Sequence, residues 1–423
     1  LNVRAGLVLA LMVGLAASIT LAETALVLLA AWLAFGARRT GATGAGWPLL
    51  GPLAVFAGWT VVAALASARP LESLLAARGL LTLGALYVVF RVLPDVRAAE
   101  RFAIGLFATV TVVALLSIAQ VAFCPAEEAV TSVPAALGWF MRKCGRARGF
   151  FSIYMTLAGV LMLVLLSALP RVAYGGRTLV WGLPAWLAGV LALALTSVRG
   201  AWVGFAVGAA GCVIALRRRW VVLAAVVFVV VAAGTVAGDY ELRKRVRSFG
   251  DLANDTTRDR LAMLGTGLGL AIAHPITGIG PGQVKHVYPA VASPAALRRS
   301  TSHLHNAPLQ IAVERGLPGL AAWVAIWVGF FGAAVRVLRR IPATDQRARA
   351  LVLGSMAAIG AFLVAGLFEY NFGDTEVLLV ALSLMALPFV VERELRPMGD
   401  VGRARQAVAL DGAREQPGRP ARG

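Results

Sequence analysis

FFSIYMTLAGVLMLVLLSAL, residues 150–169, runs twenty positions without a charged side chain. A helix crossing the hydrocarbon core of a bilayer needs about 20 mostly apolar residues, and lipid tolerates a spanning backbone only when its polar groups are satisfied internally. Working outward, the same kind of block recurs. The blocks lie at 5–18, 21–37, 47–67, 76–93, 102–123, 150–169, 179–197, 200–216, 219–237, 316–337, 350–368 and 374–391. The first two read either as a tight hairpin or as one kinked helix. The whole chain is 59% hydrophobic and 14% charged, with mean hydropathy +0.79, against about 25% charged in soluble domains. These features predict an all-α, polytopic membrane protein of about twelve transmembrane helices. No cleavable leader is read at the start, because further spans follow at once.

Basic residues set the predicted orientation. With the N-terminus inside, the short inner loops hold Arg38 and Arg39, Arg91, Arg97 and Arg101, Arg171 and Arg177, Arg217 to Arg219, and Arg336 to Arg349. The short outer turns hold chiefly Arg69, Arg78 and Arg199. That asymmetry obeys the positive-inside rule. The net charge of +19 therefore reads as a topology and anionic-lipid signal, with membrane lipids and not nucleic acid as the partner.

The membrane domain, 1–391, carries two outer insertions and a tail. The smaller insertion is 124–149, with Arg142, Lys143, Arg146 and Arg148 just before a span. The larger, 238–315, is too long for an idle connection. The basic tail, 392–423, reads as disordered and lies inside. Cys124 and Cys144 both fall in the smaller outer loop. On an oxidising side they are either a disulfide or two free thiols.

Inside the large loop, Asp255-Thr256-Thr257 caps a helix on which Leu261, Leu264, Leu268 and Ile272 form an apolar stripe. If that stripe packs on the membrane domain, Arg258 faces the protein and Arg260 faces water. Asp251, Asp255 and Asp259 read as a solvated edge and a cap. His274-Pro275 ends the helix, and Gly278-Ile279-Gly280-Pro281-Gly282 follows as a tight backbone path.

All four histidines lie in this one polar stretch, two of them in Ser302-His303-Leu304-His305-Asn306. A histidine titrates near neutrality and can take a proton from a hydroxyl. The bland alternative is a loop histidine at the start of a helix. Asn306 can fix the tautomer of a neighbouring ring. Metal binding by His303 and His305, joined by His274 or His286, lacks the cysteine or carboxylate spacing of zinc sites. Arg199, in the turn Ser197-Val198-Arg199-Gly200, reads either as an interfacial anchor or as a functional cation. Arg258 sits at a helix N-terminus, which favours an anion, and its planar fork suits phosphate oxygens. Arg142, Arg146 and Arg148 either add to that charge or form a solvated run. Acids are scarce: Glu369 and Asp374 flank the last outer turn. No phosphate-binding glycine loop with Lys-Ser/Thr is present, so ATP coupling is not expected.

The run His305-Asn306, nine residues, Gly316, two residues, Gly319 resembles the outer-loop motif of bacterial O-antigen ligases. Ser197 to Gly200, and Arg258 with His274-Pro275 and Gly278-x-Gly280-Pro281-Gly282, resemble two further blocks of that superfamily. The likeness covers about 190–320. It implies a bacterial inner-membrane, multi-pass glycosyltransferase with cytoplasmic termini and a periplasmic active site in the large loop. The donor would be O-antigen polysaccharide on undecaprenyl diphosphate, and the acceptor a sugar hydroxyl of lipid A–core. His305 would be the base. Arg199 and Arg258 would hold the departing diphosphate, with His303, Asn306, Arg260, Arg142, Arg146, Arg148, Gly280 and Gly282 around the substrates. No cofactor and no metal are implied, and the anomeric centre would invert. An apolar groove for the polyprenyl chain is expected between helices. The alternatives are an O-antigen polymerase, a protein O-oligosaccharyltransferase, or a non-enzymatic transporter or flippase.

Overall fold

The computed structural model describes residues 3–40, 46–124, 138, 140–141, 144–175, 177–216 and 255–414. Among these residues the chain is helical with no strand. The elements are α1 (Val3–Ala17), α2 (Ile19–Thr40), α3 (Leu50–Leu65), α4 (Pro70–Ala77), a 3₁₀ stretch (Arg78–Leu83) and α5 (Gly84–Val92). They continue with α6 (Val96–Ala122), α7 (Tyr154–Tyr174), α8 (Arg177–Leu195), α9 (Arg199–Leu216), α10 (Asp255–Ala273) and α11 (Val284–Val291). The last three are α12 (Ala307–Arg340), α13 (Gln346–Ala365) and α14 (Thr375–Arg414). The protein is thus an all-α, multi-pass membrane protein.

Among the described residues, eight stretches are long and apolar enough to cross a membrane, and three shorter apolar helices lie at Val3–Ala17, Leu50–Leu65 and Val180–Leu195. The block expected at 219–237 lies outside the described residues. The first two blocks form a hairpin broken at Ser18, whose Oγ accepts from Leu21 N–H at 3.4 Å. The hairpin closes tightly: a Cβ on Gly14 would sit 2.4 Å from the backbone nitrogen of Ala22. The block expected at 76–93 instead spans Pro70–Val92, because Pro70 is a favourable first helical residue. α14 runs on helically to Arg414, into the segment read as a disordered tail; residues 415–423 lie outside the described residues.

The centre of the bundle is α7, α13 and α14, apolar nearly all round and buried over most of their length. Helices in lipid gain little from burying apolar surface and associate through close packing of small residues. Gly200, Gly204 and Gly208 of α9 show this. A Cβ on Gly204 would approach Ala361 O to 2.7 Å, and one on Gly208 would approach Ala357 O to 2.9 Å. α9 therefore lies directly on α13.

A cluster of ion pairs lies at one end of the bundle. Glu100 of α6 pairs with Arg171 at the end of α7 and, at 2.6 Å, with Arg347 of α13. Arg393 of α14 donates to the carbonyls of Phe90 and Leu93 and lies over the Phe90 ring. At 1.5 Å rise per residue, these groups sit about 25 Å along α7 and α14 from the helix starts, where Tyr154, Thr156 and Glu376 line a charged cavity.

Candidate active site

The local chain path explains the spacing of the histidine motif. Asn306 is the N-cap of α12: its Oδ1 accepts from Leu309 N–H at 2.9 Å, and its Nδ2 donates to Leu367 O at 2.9 Å. Ala307 N–H donates to Gly366 O at 2.7 Å, tying this corner to the loop between α13 and α14. After Ala307–Arg315 the helix breaks at Gly316, with φ 68 and ψ −177. A Cβ there would fall 1.9 Å from Ile276 O, so only glycine fits. Nine residues is the length of the short helix between cap and kink. Asn306 therefore holds no histidine tautomer; its side chain is committed to the cap and to Leu367.

The glycine path 278–282 docks along that short helix. Ile279 N–H donates to Val313 O at 2.9 Å, Gly280 N–H to Glu314 O at 3.0 Å, and Gly282 N–H to Glu314 Oε1 at 2.8 Å. Gly280 presses on Ser67 and Ser73, where a Cβ would meet Ser67 Cβ at 2.3 Å. Gly280 and Gly282 thus shape the support beneath the histidines and lie outside the lining of the cavity that Tyr154, Thr156 and Glu376 share.

His305 itself has φ 49, a left-handed backbone that costs a non-glycine residue about 1–2 kcal/mol. Such strain is concentrated at functional sites. Its Nδ1 lies 2.7 Å from Glu369 Oε1, so Nδ1–H donates to the carboxylate, and the neutral form of the ring carries its lone pair on Nε2. His303 stacks edge-on with ring centroids 4.3 Å apart. Its Nδ1 is buried without a hydrogen-bond partner, 3.8 Å from the same Glu369 oxygen. Arg260 Nη2 lies 3.8 Å from Glu369 Oε2.

Two groups here shift. Burial, and then the neighbouring His305, hold His303 below the usual histidine range against the pull of Glu369. Burial pushes Glu369 upward, but the hydrogen bond from His305 and the charges of His305, His303 and Arg260 outweigh it and hold the carboxyl below its usual range. Tyr370 is pushed up to about 12 by burial and the charge of Glu314, with Arg315 opposing. It stays a neutral phenol.

A cavity of about 470 Å³ opens beside this group, lined by Arg146, Tyr154, Arg199, Arg260, His303, Glu369 and Tyr370 among others. Arg146 lies over the Tyr154 ring at 4.4 Å. Arg199 begins α9, so the free N–H groups of a helix start add to its charge. The expected facing of α10 is reversed. Arg258 is exposed and outside the cavity lining, whereas Arg260 is half-buried and lines it. Leu261, Leu268 and Ile272 are exposed, while Met263 and Leu270 are buried and Gly267 packs against Leu304 and Leu309. Asp259 is not on a solvated edge but buried, accepting from Leu297 N–H at 2.7 Å and Arg298 N–H at 3.1 Å.

Arg148 is buried and bonded to the carbonyls of Phe151 and Phe140, away from the cavity lining. Arg142 lies outside the described residues. Cys124 and Cys144 form a disulfide, with Cα atoms 5.4 Å apart, at the base of this insertion. His274 is exposed, and His286 bridges Arg69 and Glu72 at 3.0 and 2.9 Å. Neither joins the His303–His305 pair. The third member is Glu369, 64 positions from His305, which sequence reading missed as a partner. Its one signal was an acid at an outer turn of an acid-poor chain.

A second, apolar groove of about 830 Å³ runs between α12 and α13. It extends from Arg336 and Arg339 at one end past Trp323, Trp327 and Phe331 to Pro308 and Leu367. Its far end is therefore bounded by the residue that Asn306 grips, next to His305.

No curated protein matches the chain. Residues 183–324 match the family model Wzy_C, O-antigen ligase, a segment that holds Arg199, Arg260, His303 and His305 but not Glu369. That segment is about a third of the chain, and through it the chain is similar to O-antigen ligase-type proteins, which supports a glycosyltransferase of the ligase and polymerase kind.

Proposed function

We propose that this protein is an O-antigen ligase, transferring a polysaccharide from undecaprenyl diphosphate to a sugar hydroxyl of lipid A–core. The observation that carries the reading is the His305–Glu369 pair beside a cavity lined by Arg146, Arg199 and Arg260. With Nδ1–H held by Glu369, His305 Nε2 takes the acceptor's proton as its oxygen attacks the anomeric carbon. The bond to the diphosphate breaks with its electrons leaving on phosphate oxygen. Arg199 and Arg260 meet that charge, since fixed cations aimed at developing charge lower the barrier most. The resemblance gave this part to Arg258; the half-buried Arg260 suits it better, with Arg258 left at the rim. Attack opposite the leaving group inverts the anomeric centre. The donor is already activated, so neither a metal nor a nucleotide is needed.

The apolar groove between α12 and α13 suits the polyprenyl chain, because its upper end lies next to His305. The placement we favour is the bacterial inner membrane, with both termini cytoplasmic and the site periplasmic. The basic cluster around Glu100, Arg171 and Arg347 lies at the opposite helix ends, as the positive-inside rule requires, and the disulfide lies on the cavity side. The test of the acceptor is reconstitution of purified protein with undecaprenyl-diphosphate-linked glycan and lipid A–core. Glycan on lipid A–core is the expected product. Elongation of the donor itself, with lipid A–core untouched, would make the protein a polymerase.

A further inference from the structure

We propose that His303, His305 and Glu369 form a reversible binding site for a divalent transition ion of the zinc class, and that occupancy silences glycosyl transfer. The silencing rests on the reading of His305 as the base; the binding does not.

The ligand set is the first argument. One ligand atom each of His303, His305 and Glu369 lies within 4.8 Å of the others. Two imidazoles and one carboxylate are a known zinc donor set, with bonds of about 2.0–2.2 Å and a fourth position left open. Ligand atoms around a tetrahedral ion of that bond length are about 3.3 Å apart. His305 Nδ1 and His303 Nδ1 stand 2.7 and 3.8 Å from Glu369 Oε1, on either side of that spacing. Small rotations of the rings suffice.

One atom of the site also lacks a partner. His303 Nδ1 is buried and makes no hydrogen bond. A buried polar atom left unpaired costs free energy, and a metal ion would use its lone pair. Both rings must be neutral to ligate. The open side is the cavity wall formed by His303 and Glu369, which leaves room for a water in the fourth position. Arg260, 3.8 Å from the other Glu369 oxygen, opposes a second cation. It makes the site a weaker and more readily emptied one than a structural zinc site.

The consequence for chemistry follows from proton placement. An ion on His305 Nδ1 takes the lone pair there, so the ring proton must sit on Nε2. The nitrogen that accepts the acceptor's proton then becomes a donor, and transfer stops because no nitrogen of His305 is left to take that proton.

The experiment uses full-length protein purified without a histidine tag, treated with EDTA and then freed of it. Co²⁺ is titrated in by absorption spectroscopy and displaced with Zn²⁺, and transfer is measured on the same samples. The expected result is one equivalent bound with a tetrahedral cobalt spectrum. Transfer should fall about 10-fold or more with the same concentration dependence, and EDTA should restore it. His303→Ala and Glu369→Gln should each weaken binding about 10–100-fold, while His286→Ala leaves it unchanged. Wild type binding no more cobalt than these two variants would overturn the site. One equivalent bound with undiminished transfer would overturn the silencing and, with it, His305 as the base. Binding in a protein that transfers nothing under any condition would leave the site standing and sink the ligase reading.

Discussion

His305 and Glu369 form the unit on which the account turns, because a ring nitrogen is useful as a base only if its other nitrogen is held. Glu369 accepts from Nδ1 at 2.7 Å and is kept ionised by its three cationic or protonatable neighbours. With His305 as the base, its role is positioning. Glu369→Gln should lower kcat about 10²-fold, at the low end of what a positioned base contributes, with KM for the acceptor and the melting temperature little changed. A rise in KM alone, or loss of folded protein, would contradict the positioning role. The sequence made His305 legible through its spacing to Gly316, and Arg199 through its place in a turn. It did not reveal Glu369, since no local pattern links residues 64 positions apart that meet only when the α13–α14 loop folds over Asn306. It also favoured Arg258 over Arg260, although the two lie far apart around one helix.

The reason for the reversed facing belongs to the helix. Leu261, Leu264, Leu268 and Ile272 do recur at helical spacing, and α10 does form. Yet in a membrane protein an apolar stripe has two stable surroundings, protein or lipid, so periodicity fixes the helix and not its inward face. The buried face is instead Met263, Gly267 and Leu270. The α12 kink was the more readable element, because Gly316 and Gly319 stand at fixed distances from Asn306. Gly316→Ala should be destabilising by about 2–3 kcal/mol, from the left-handed backbone alone before the clash with Ile276 O is added. Thermal unfolding in detergent measures this. A melting temperature equal to wild type would mean that the kink is not the strained joint described here.

Across the whole molecule, composition alone carried the class, and the arginine asymmetry carried the placing of the cavity and the basic cluster at opposite ends. The span count did not follow as directly, since α1, α3 and the Val180–Leu195 stretch are short for a bilayer and 219–237 lies outside the described residues. The smaller insertion is tied at its base by Cys124–Cys144, and from there Arg146 reaches the cavity wall. Closing a loop of 20 positions stabilises by roughly 3 kcal/mol. Cys124→Ser should therefore lower the melting temperature under oxidising conditions, and reductant should lower wild type to the same value. Identical melting of wild type and variant without reductant would argue against the bond.

The central claim is that His305 supplies the base for transfer from a lipid diphosphate with no metal involved. Single-turnover transfer from undecaprenyl-diphosphate-linked glycan to lipid A–core, in EDTA and without ATP, tests it by comparing wild type with His305→Ala. The account predicts full wild-type transfer and a loss of about 10²–10⁴-fold in the variant, with donor binding retained. A variant that transfers at the wild-type rate, or a wild type that is dead until a metal is added, would contradict it.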